Sequence, residues 1–255
     1  MELNFKVFGS GQPLIILHGM FGTLDNWQSI AKKLAENYMV FIVDLRNHGR
    51  SPHSDAFSYE IMADDLRLFM ENNWIYKAHI IGHSMGGKVA MHFAVEQPDM
   101  VDQLIVVDIA PKIYQGNHQT IFKGLLNLKP EQLKSRQEAA EQLALWIEDA
   151  AVRQFILKNL YLHKITGKYT WRMNLSVIHQ AYTHILSNSL ASVQFDGPTL
   201  FVRGALSDYI LVDEWDNYLK YFPKAKLSTV DAAGHWVHAA QPTAFLSAIT
   251  AFLAD

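Results

Sequence analysis

Nothing else in the chain narrows its folding options as sharply as the pentapeptide Gly82-His83-Ser84-Met85-Gly86. The preceding Ala78-His79-Ile80-Ile81 reads as a short buried strand. The following Gly87-Lys88-Val89-Ala90-Met91-His92-Phe93-Ala94-Val95 has the apolar spacing of a helix lying on a sheet. A serine between a buried strand and a helix, with glycine two residues to either side, is a nucleophile elbow. The glycines allow a sharp turn without a Cβ clash, which lifts the Ser84 hydroxyl clear of the sheet. The helix beginning there aims free N–H groups and its positive end at a developing oxyanion. A chance G-x-S-x-G in a loop lacks this setting, so the setting marks Ser84 as a nucleophile.

The remaining elements fall into place around this turn. Residues 3–8 alternate as an edge strand and end in Gly9-Ser10-Gly11-Gln12-Pro13. Leu14-Ile15-Ile16-Leu17 is continuously apolar, as a strand covered on both faces must be, and runs into His18-Gly19-Met20-Phe21-Gly22. A helix over 27–34 is expected, capped by Asp25 or Asn26. The strand Met39-Val40-Phe41-Ile42-Val43, a polar loop over 44–51 and a helix from Tyr59 to Asn72 follow, and Leu104-Ile105-Val106-Val107 forms the strand after the elbow helix. From Pro111 the strand-like runs vanish, and helices are expected near 118–128, 131–148, 150–162 and 175–187. Thr199-Leu200-Phe201-Val202 then resumes the buried-strand pattern, followed by a helix over 215–221, a strand over 226–230 and a helix from about Pro242. Strand and helix alternate on both sides of an all-helical insert. The expected fold is therefore α/β, a mostly parallel sheet flanked by helices. Its core would span 1–110 and 191–255, with a helical lid over 111–190 inserted after the sixth strand.

A hydrolytic serine needs a base, and the base needs an orienting group. The base is His235, in Ala232-Ala233-Gly234-His235-Trp236 just after the last strand. His53, His118, His163 and His179 read as surface or capping residues. His238 lies three residues past His235, but no carboxylate or third ligand accompanies the pair, so no metal site is expected. Two acids compete: Asp108 ends the strand after the elbow helix, and Asp208 follows the next-to-last strand. Asp108 has a plainer reading as a cap before Pro111. The oxyanion hole would combine the Met85 N–H with one from the loop after His18-Gly19, Met20 being the first choice and Phe21 the second. His18 reads as a hydrogen-bonding brace of that loop, and Arg46 and His48 as loop contacts.

Taken together, His18-Gly19 with Gly22, the 44–51 loop, Gly82 to Gly86 and Gly234-His235 resemble the α/β-hydrolase superfamily over nearly the whole chain. More narrowly, Val107-Asp108-Ile109-Ala110-Pro111, Trp171-Arg172-Met173-Asn174 and Gly234-His235-Trp236-Val237-His238 resemble the small bacterial esterases of the YbfF type. The resemblance implies the α/β-hydrolase fold with an inserted lid, and hydrolysis of acyl esters and acyl-CoA thioesters; with no cysteine, ligand cluster or phosphate loop in the sequence, no metal or organic cofactor is expected. It also implies an acid at Asp108 and a serine at Ser207. Members of the fold commonly carry G-x-x-D after the late strand. Here the third residue after Gly204 is Ser207, with Asp208 one step further. A one-residue slip at a strand end turns a side chain to the other face. The favoured triad is Ser84, His235 and Asp108, with Ser207 as an added hydrogen-bond partner and Asp208 the alternative acid.

The insert carries Phe122, Leu125, Leu126, Trp146, Phe155, Leu160, Tyr161 and Trp171. At helical spacing most of these belong to a core, and a minority should line an apolar acyl pocket. Phe122, Trp171, Arg172 and Trp236 are the substrate-binding candidates. Arg172, with Lys123 and Lys168, is a candidate to hold a carboxylate or CoA phosphate. Within the same fold, carbon–carbon bond hydrolysis, perhydrolysis and a menaquinone-pathway lyase reaction are rival chemistries, and a binding protein without turnover is a rival of another class.

The formal net charge of −3 offers no general attraction to nucleic acid or an anionic membrane. The absence of cysteine excludes disulfides and thiolate metal sites. The first residues lack a basic region followed by a long apolar core, and no apolar run approaches the roughly 20 residues that span a bilayer. The expectation is a cytoplasmic monomer or homodimer with a small ester or thioester as its partner.

Overall fold

The computed structural model describes residues 1–187, 190 and 193–254. Its organising element is a sheet of seven strands: β1 (Phe5–Phe8), β2 (Gln12–Leu17), β3 (Tyr38–Val43), β4 (Ala78–His83), β5 (Val101–Val107), and the late strands Thr199–Gly204 and Ala225–Val230. Among the described residues β1 alone runs antiparallel, at the edge beside β3, and the other neighbours in the sheet pair in parallel.

Side chains of a strand alternate between faces, and this sheet buries both. Ile15 and Leu17 of β2, with Leu104 and Val106 of β5, join the same apolar cluster as Leu66 and Phe69 of α2 (Tyr59–Asn72) and Val89 and Phe93 of α3 (Met85–Glu96). Leu14, Ile16, Ile105 and Val107 face the other way. They share a second cluster with Ile30 of α1 (Gln28–Leu34) and with Phe245, Ile249 and Phe252 of the C-terminal helix Pro242–Leu253. The near-continuous apolar runs of the sequence are thus strands covered on two sides.

Between β5 and the next sheet strand the chain forms α4 (Gln119–Asn127), α5 (Arg136–Ala144), α6 (Ala150–Leu157), β6 (Leu160–Leu162), β7 (Tyr169–Trp171), α7 (Leu175–Gln180) and α8 (Tyr182–Leu186). The remaining elements are β8 (Thr199–Gly204), α9 (Trp215–Leu219), β9 (Ala225–Val230), α10 (Val237–Ala240) and α11 (Pro242–Leu253). Three expectations need correction here. The insert follows the fifth strand of the chain, not the sixth. It is not all-helical, because β6 and β7 pair as an antiparallel hairpin, and the helix expected over 150–162 stops at Leu157. Three-residue strands are too short for a period to register in sequence. The expected resumption of the core at 191 falls outside the described residues.

The cap expected from Asp25 or Asn26 also differs. A single 3-10 turn, Leu24–Asn26, precedes α1, and the Asn26 side chain accepts from the Thr23 N–H at 2.8 Å. Trp27 then stands at the N-cap of α1 with no side-chain bond. Among the described residues, no helix is long and apolar enough to cross a membrane.

Candidate active site

The elbow depends on close approach as much as on a turn. A Cβ on Gly82 would collide with the Gly86 carbonyl, and one on Gly86 would lie 2.5 Å from the carbonyl oxygens of Leu17 and His18. Glycine therefore lets α3 start tight against β2 and β4. The strained residue is Ser84 itself, at φ 52° and ψ −119°, a conformation that costs a non-glycine residue of the order of 1–3 kcal/mol. Its N–H donates to the Val107 carbonyl at 3.0 Å, which ties the turn to the end of β5.

Asp108 follows β5 directly and holds a second positive φ, 48°. Its carboxylate is wholly buried, with three donors converging on it. Oδ1 accepts the Gly204 N–H at 3.1 Å, and Oδ2 accepts the Ser207 hydroxyl and His235 Nδ1 at 2.8 Å. With Nδ1 donating, His235 Nε2 is the bare nitrogen, and it lies 3.0 Å from Ser84 Oγ, which donates to it. The structure thus brings Ser84, His235, Asp108 and Ser207 into one line. Asp208 is exposed at the cavity rim and makes no hydrogen bond to His235 among the described residues.

Neighbouring rings fix His235 without competing for its proton. Tyr209 stacks on it, with centroids 4.0 Å apart and planes 19° apart, and His83 donates Nε2–H to the His235 carbonyl at 2.9 Å. Burial drives His83 well below the ordinary histidine pKa and takes His238, stacked on Trp27, to about 3. Both stay neutral at physiological pH, so no second positive charge stands beside an incipient imidazolium at His235.

The loop after β2 is held by two more neutral histidines. His18 donates Nδ1–H to the Gly19 carbonyl at 2.8 Å and accepts the Leu45 N–H at 3.0 Å, and burial lowers it to about 4. His48 donates to the Arg46 carbonyl at 3.0 Å and accepts the Phe21 N–H at 3.3 Å; burial takes it to about 3. The brace role expected of His18 is what its bonds describe. The bond to His48 also separates the two oxyanion candidates. The Phe21 N–H is engaged, whereas those of Met20 and Met85 donate to no acceptor among the described residues. Met85 is the first residue of α3, where helix N–H groups lack internal partners.

Ser84 and His235 open into a cavity of about 440 Å³. Its apolar wall comes largely from Ile121, Val152, Phe155, Ile185 and Leu186 of the insert, with Met20, Phe21, Ile109 and Trp236. The polar groups besides Ser84 and the histidines His83 and His235 are Tyr59, Tyr114, Gln115, Asn117, His118, Tyr182 and Tyr209, with Asp208 at the rim. His118 is lowered to about 4 by burial and makes a 2.8 Å hydrogen bond with the Tyr182 hydroxyl. Of the four substrate-binding candidates only Trp236 lines this space.

Phe122 is buried one layer behind, edge-on to Phe21 at 5.3 Å, because α4 turns its apolar face to the protein interior. Trp171 and Arg172 sit at the hairpin, on other pockets. Sequence reasoning missed Tyr209, Tyr114 and the lining role of Phe155. A helical apolar stripe says that Phe155 is buried but not against what. Among the described residues no group of three or more His, Cys, Asp or Glu could hold a metal ion.

The alpha/beta hydrolase fold profile matches residues 12–242. Esterase YbfF of Escherichia coli is 36% identical, over all of both chains. The zebrafish (Danio rerio) sn-1-specific diacylglycerol lipase ABHD11 is 38% identical over 99% of this chain and 83% of its own. A solved marine microorganism esterase superimposes with a TM-score of 0.96 at 43% identity, covering 98% of this chain and 99% of its own. With the elbow, the sheet order and these full-length likenesses in agreement, the chain belongs to the α/β-hydrolase fold family, among its esterase- and lipase-type members.

Proposed function

We propose that the chain is a serine hydrolase that cleaves carboxylic esters, and acyl thioesters with them, through an acyl-enzyme. Ser84 Oγ attacks the carbonyl carbon as its proton passes to His235 Nε2. The Asp108 carboxylate, 2.8 Å from Nδ1, holds the productive tautomer and supports the imidazolium. The oxyanion is received by the N–H groups of Met85 and Met20, each worth about 10²–10³ in rate in comparable sites. His235 returns the proton to the leaving alkoxide or thiolate. Water then enters along the same line, loses its proton to Nε2 and releases the acid, restoring Ser84.

The acyl group lies along the apolar wall from the insert, which serves as a lid over the nucleophile. A mainly apolar cavity suits an acyl chain and offers no charged pair for a small polar acid. The sn-1-specific diacylglycerol lipase relatives make glyceride esters a reasonable first class to try. The observation carrying the reading is the bond line from Ser84 through His235 to Asp108 at the mouth of this cavity.

The test is labelling with a fluorophosphonate alongside hydrolysis of p-nitrophenyl esters of rising chain length and of acyl-CoAs. Wild-type protein should label once and turn over, and Ser84→Ala should do neither while keeping its melting temperature. Stoichiometric labelling of Ser84→Ala at another serine would overturn the assignment.

A further inference from the structure

A second pocket lies behind the oxyanion loop. Residues 19–24 form a thin wall: Gly19, Met20 and Phe21 face the Ser84 cavity, while Thr23 and Leu24 face a separate recess of about 220 Å³. Five cationic side chains line that recess, Lys6, Arg50, Arg136, Lys158 and Arg172, against the carboxylates of Asp25 and Asp44. Asp25 is offset by Lys6, whereas Asp44 is bonded only to neutral donors and keeps its charge, so the recess holds five cations against two carboxylates. Asp25 pairs with Lys6 at 2.7 Å, and Asp44 accepts from Asn4, the Leu24 N–H and the Arg50 N–H.

Among the described residues, the other four cations are paired with no carboxylate. Arg136 is held by its N–H bonds to the carbonyls of Leu157 and Leu160, and the Arg172 guanidinium stacks over the Tyr161 ring at 4.9 Å. Carbonyls and a ring orient these guanidinium groups but leave their charge in place. Cations converging on one recess repel one another, and a bound anion relieves that repulsion. On a chain whose formal net charge is −3, such a concentration is not an average surface.

We infer that this recess binds a phosphate group, with Arg172 and Arg136 as the oriented forks and Arg50 and Lys158 as the free charges. Guanidinium groups match the paired oxygens of phosphate, and lysine adds a point charge. The recess suits a phosphate or phosphomonoester head with little beyond it. It is also wired to the catalytic face. The Arg172 N–H donates to the Asn159 carbonyl at 2.8 Å, and Asn159 Nδ2 donates to the Phe21 carbonyl at 2.7 Å. An anion drawing on Arg172 therefore braces the loop that carries Met20. The phosphate can come free in solution or on a phospholipid headgroup.

The experiment follows binding, so its outcome is separate from that of the esterase reading. Thermal shift and calorimetry would use inorganic phosphate against chloride at matched ionic strength. Flotation would use phosphatidylcholine vesicles with and without phosphatidic acid. Arg50→Gln with Lys158→Gln is the test variant, since neither side chain makes a bond that the fold needs. Phosphate should raise the melting temperature of the wild type, and the double variant should bind roughly tenfold or more weakly. Flotation that needs phosphatidic acid and is lost in the double variant, with no effect of free phosphate, supports the site with lipid as the source. Equal response of the wild type and the double variant to both sources, or no response to either, overturns it.

Discussion

Asp108→Asn is the substitution whose outcome the bond geometry fixes most tightly. Asp108 receives three donors, and an amide offers one oxygen and one NH₂ in the same space. The Gly204 N–H cannot be reversed, so the asparagine oxygen belongs at the Oδ1 position. The NH₂ then faces Ser207 and His235. Ser207 can rotate and accept, as it already does from the Tyr209 N–H at 3.3 Å. His235 must also accept, which places its proton on Nε2, pointing at Ser84. The opposite amide orientation would oppose NH₂ to the Gly204 N–H and strand a buried donor, at about 1–3 kcal/mol. The wrong tautomer is the cheaper state, and it cannot take the Ser84 proton.

The same change in a serine-protease triad costs about 10⁴ in kcat, or about 5 kcal/mol of barrier. The φ of 48° at this position is one that asparagine tolerates, so the melting temperature should stay close to wild type. Hydrolysis of p-nitrophenyl butyrate would be followed with melting curves for Asp108→Asn, Ser207→Ala and Asp208→Asn. The expected order of loss is several powers of ten, an intermediate value and less than roughly tenfold. A folded Asp108→Asn enzyme within tenfold of wild type, beside a dead Asp208→Asn, would refute the reasoning.

Three further outcomes are expected. Four histidines, the buried His18, His48 and His238 and the partly buried His118, have pKa values lowered from 6.5 to between about 3 and about 4. The unfolded chain takes up protons that the folded one refuses, so stability should fall as pH drops from about 6.5 toward 4. Urea titrations across that window should show the loss, and a flat profile would contradict it. Lys88, on the elbow helix, is buried against the carbonyls of Lys112 and Ser187 at the two ends of the insert, and burial lowers it from 10.5 to about 7. The unfolded chain holds that proton up to higher pH, so the melting temperature of wild type relative to Lys88→Met should climb between pH 7 and 10; a constant difference would argue against it. Finally, Phe155→Ala should shift acyl-length selectivity by opening the cavity, whereas Trp171→Ala should leave it unchanged, as read from kcat/KM over the p-nitrophenyl ester series.

The parts of this site that can be read from sequence are those whose signal is local. Ser84 announces itself because buried strand, glycines and helix are contiguous, and His235 because it follows the last buried run. Asp108 is within reach for a related reason: Ser207 occupies the slot where an acid after β8 would stand. The cavity wall is not within reach. Phe122 and Phe155 carry the same apolar, helical signal, yet one supports Phe21 from behind and the other lines the cavity. That choice is made by how α4 and α6 rotate against the core, which no single helix encodes. The hairpin of β6 and β7 escapes because its strands are three residues long.

Along the chain, Ser84 and Asp108 both precede that hairpin, and Ser207 and His235 both follow it. The hairpin turn at 163–168 carries the exposed Ile165, and around Gly167 even an added Cβ would meet nothing. A chain cut at that turn and then separated would give two segments, one with Ser84 and Asp108, the other with Ser207 and His235. They would rejoin along β5 and β8, where Leu104 to Val107 pair with Thr199 to Val202 and Asp108 takes the Gly204 N–H. Because neither half holds a complete proton path, turnover itself would report their reassembly, making the chain a split reporter with its cut site already exposed.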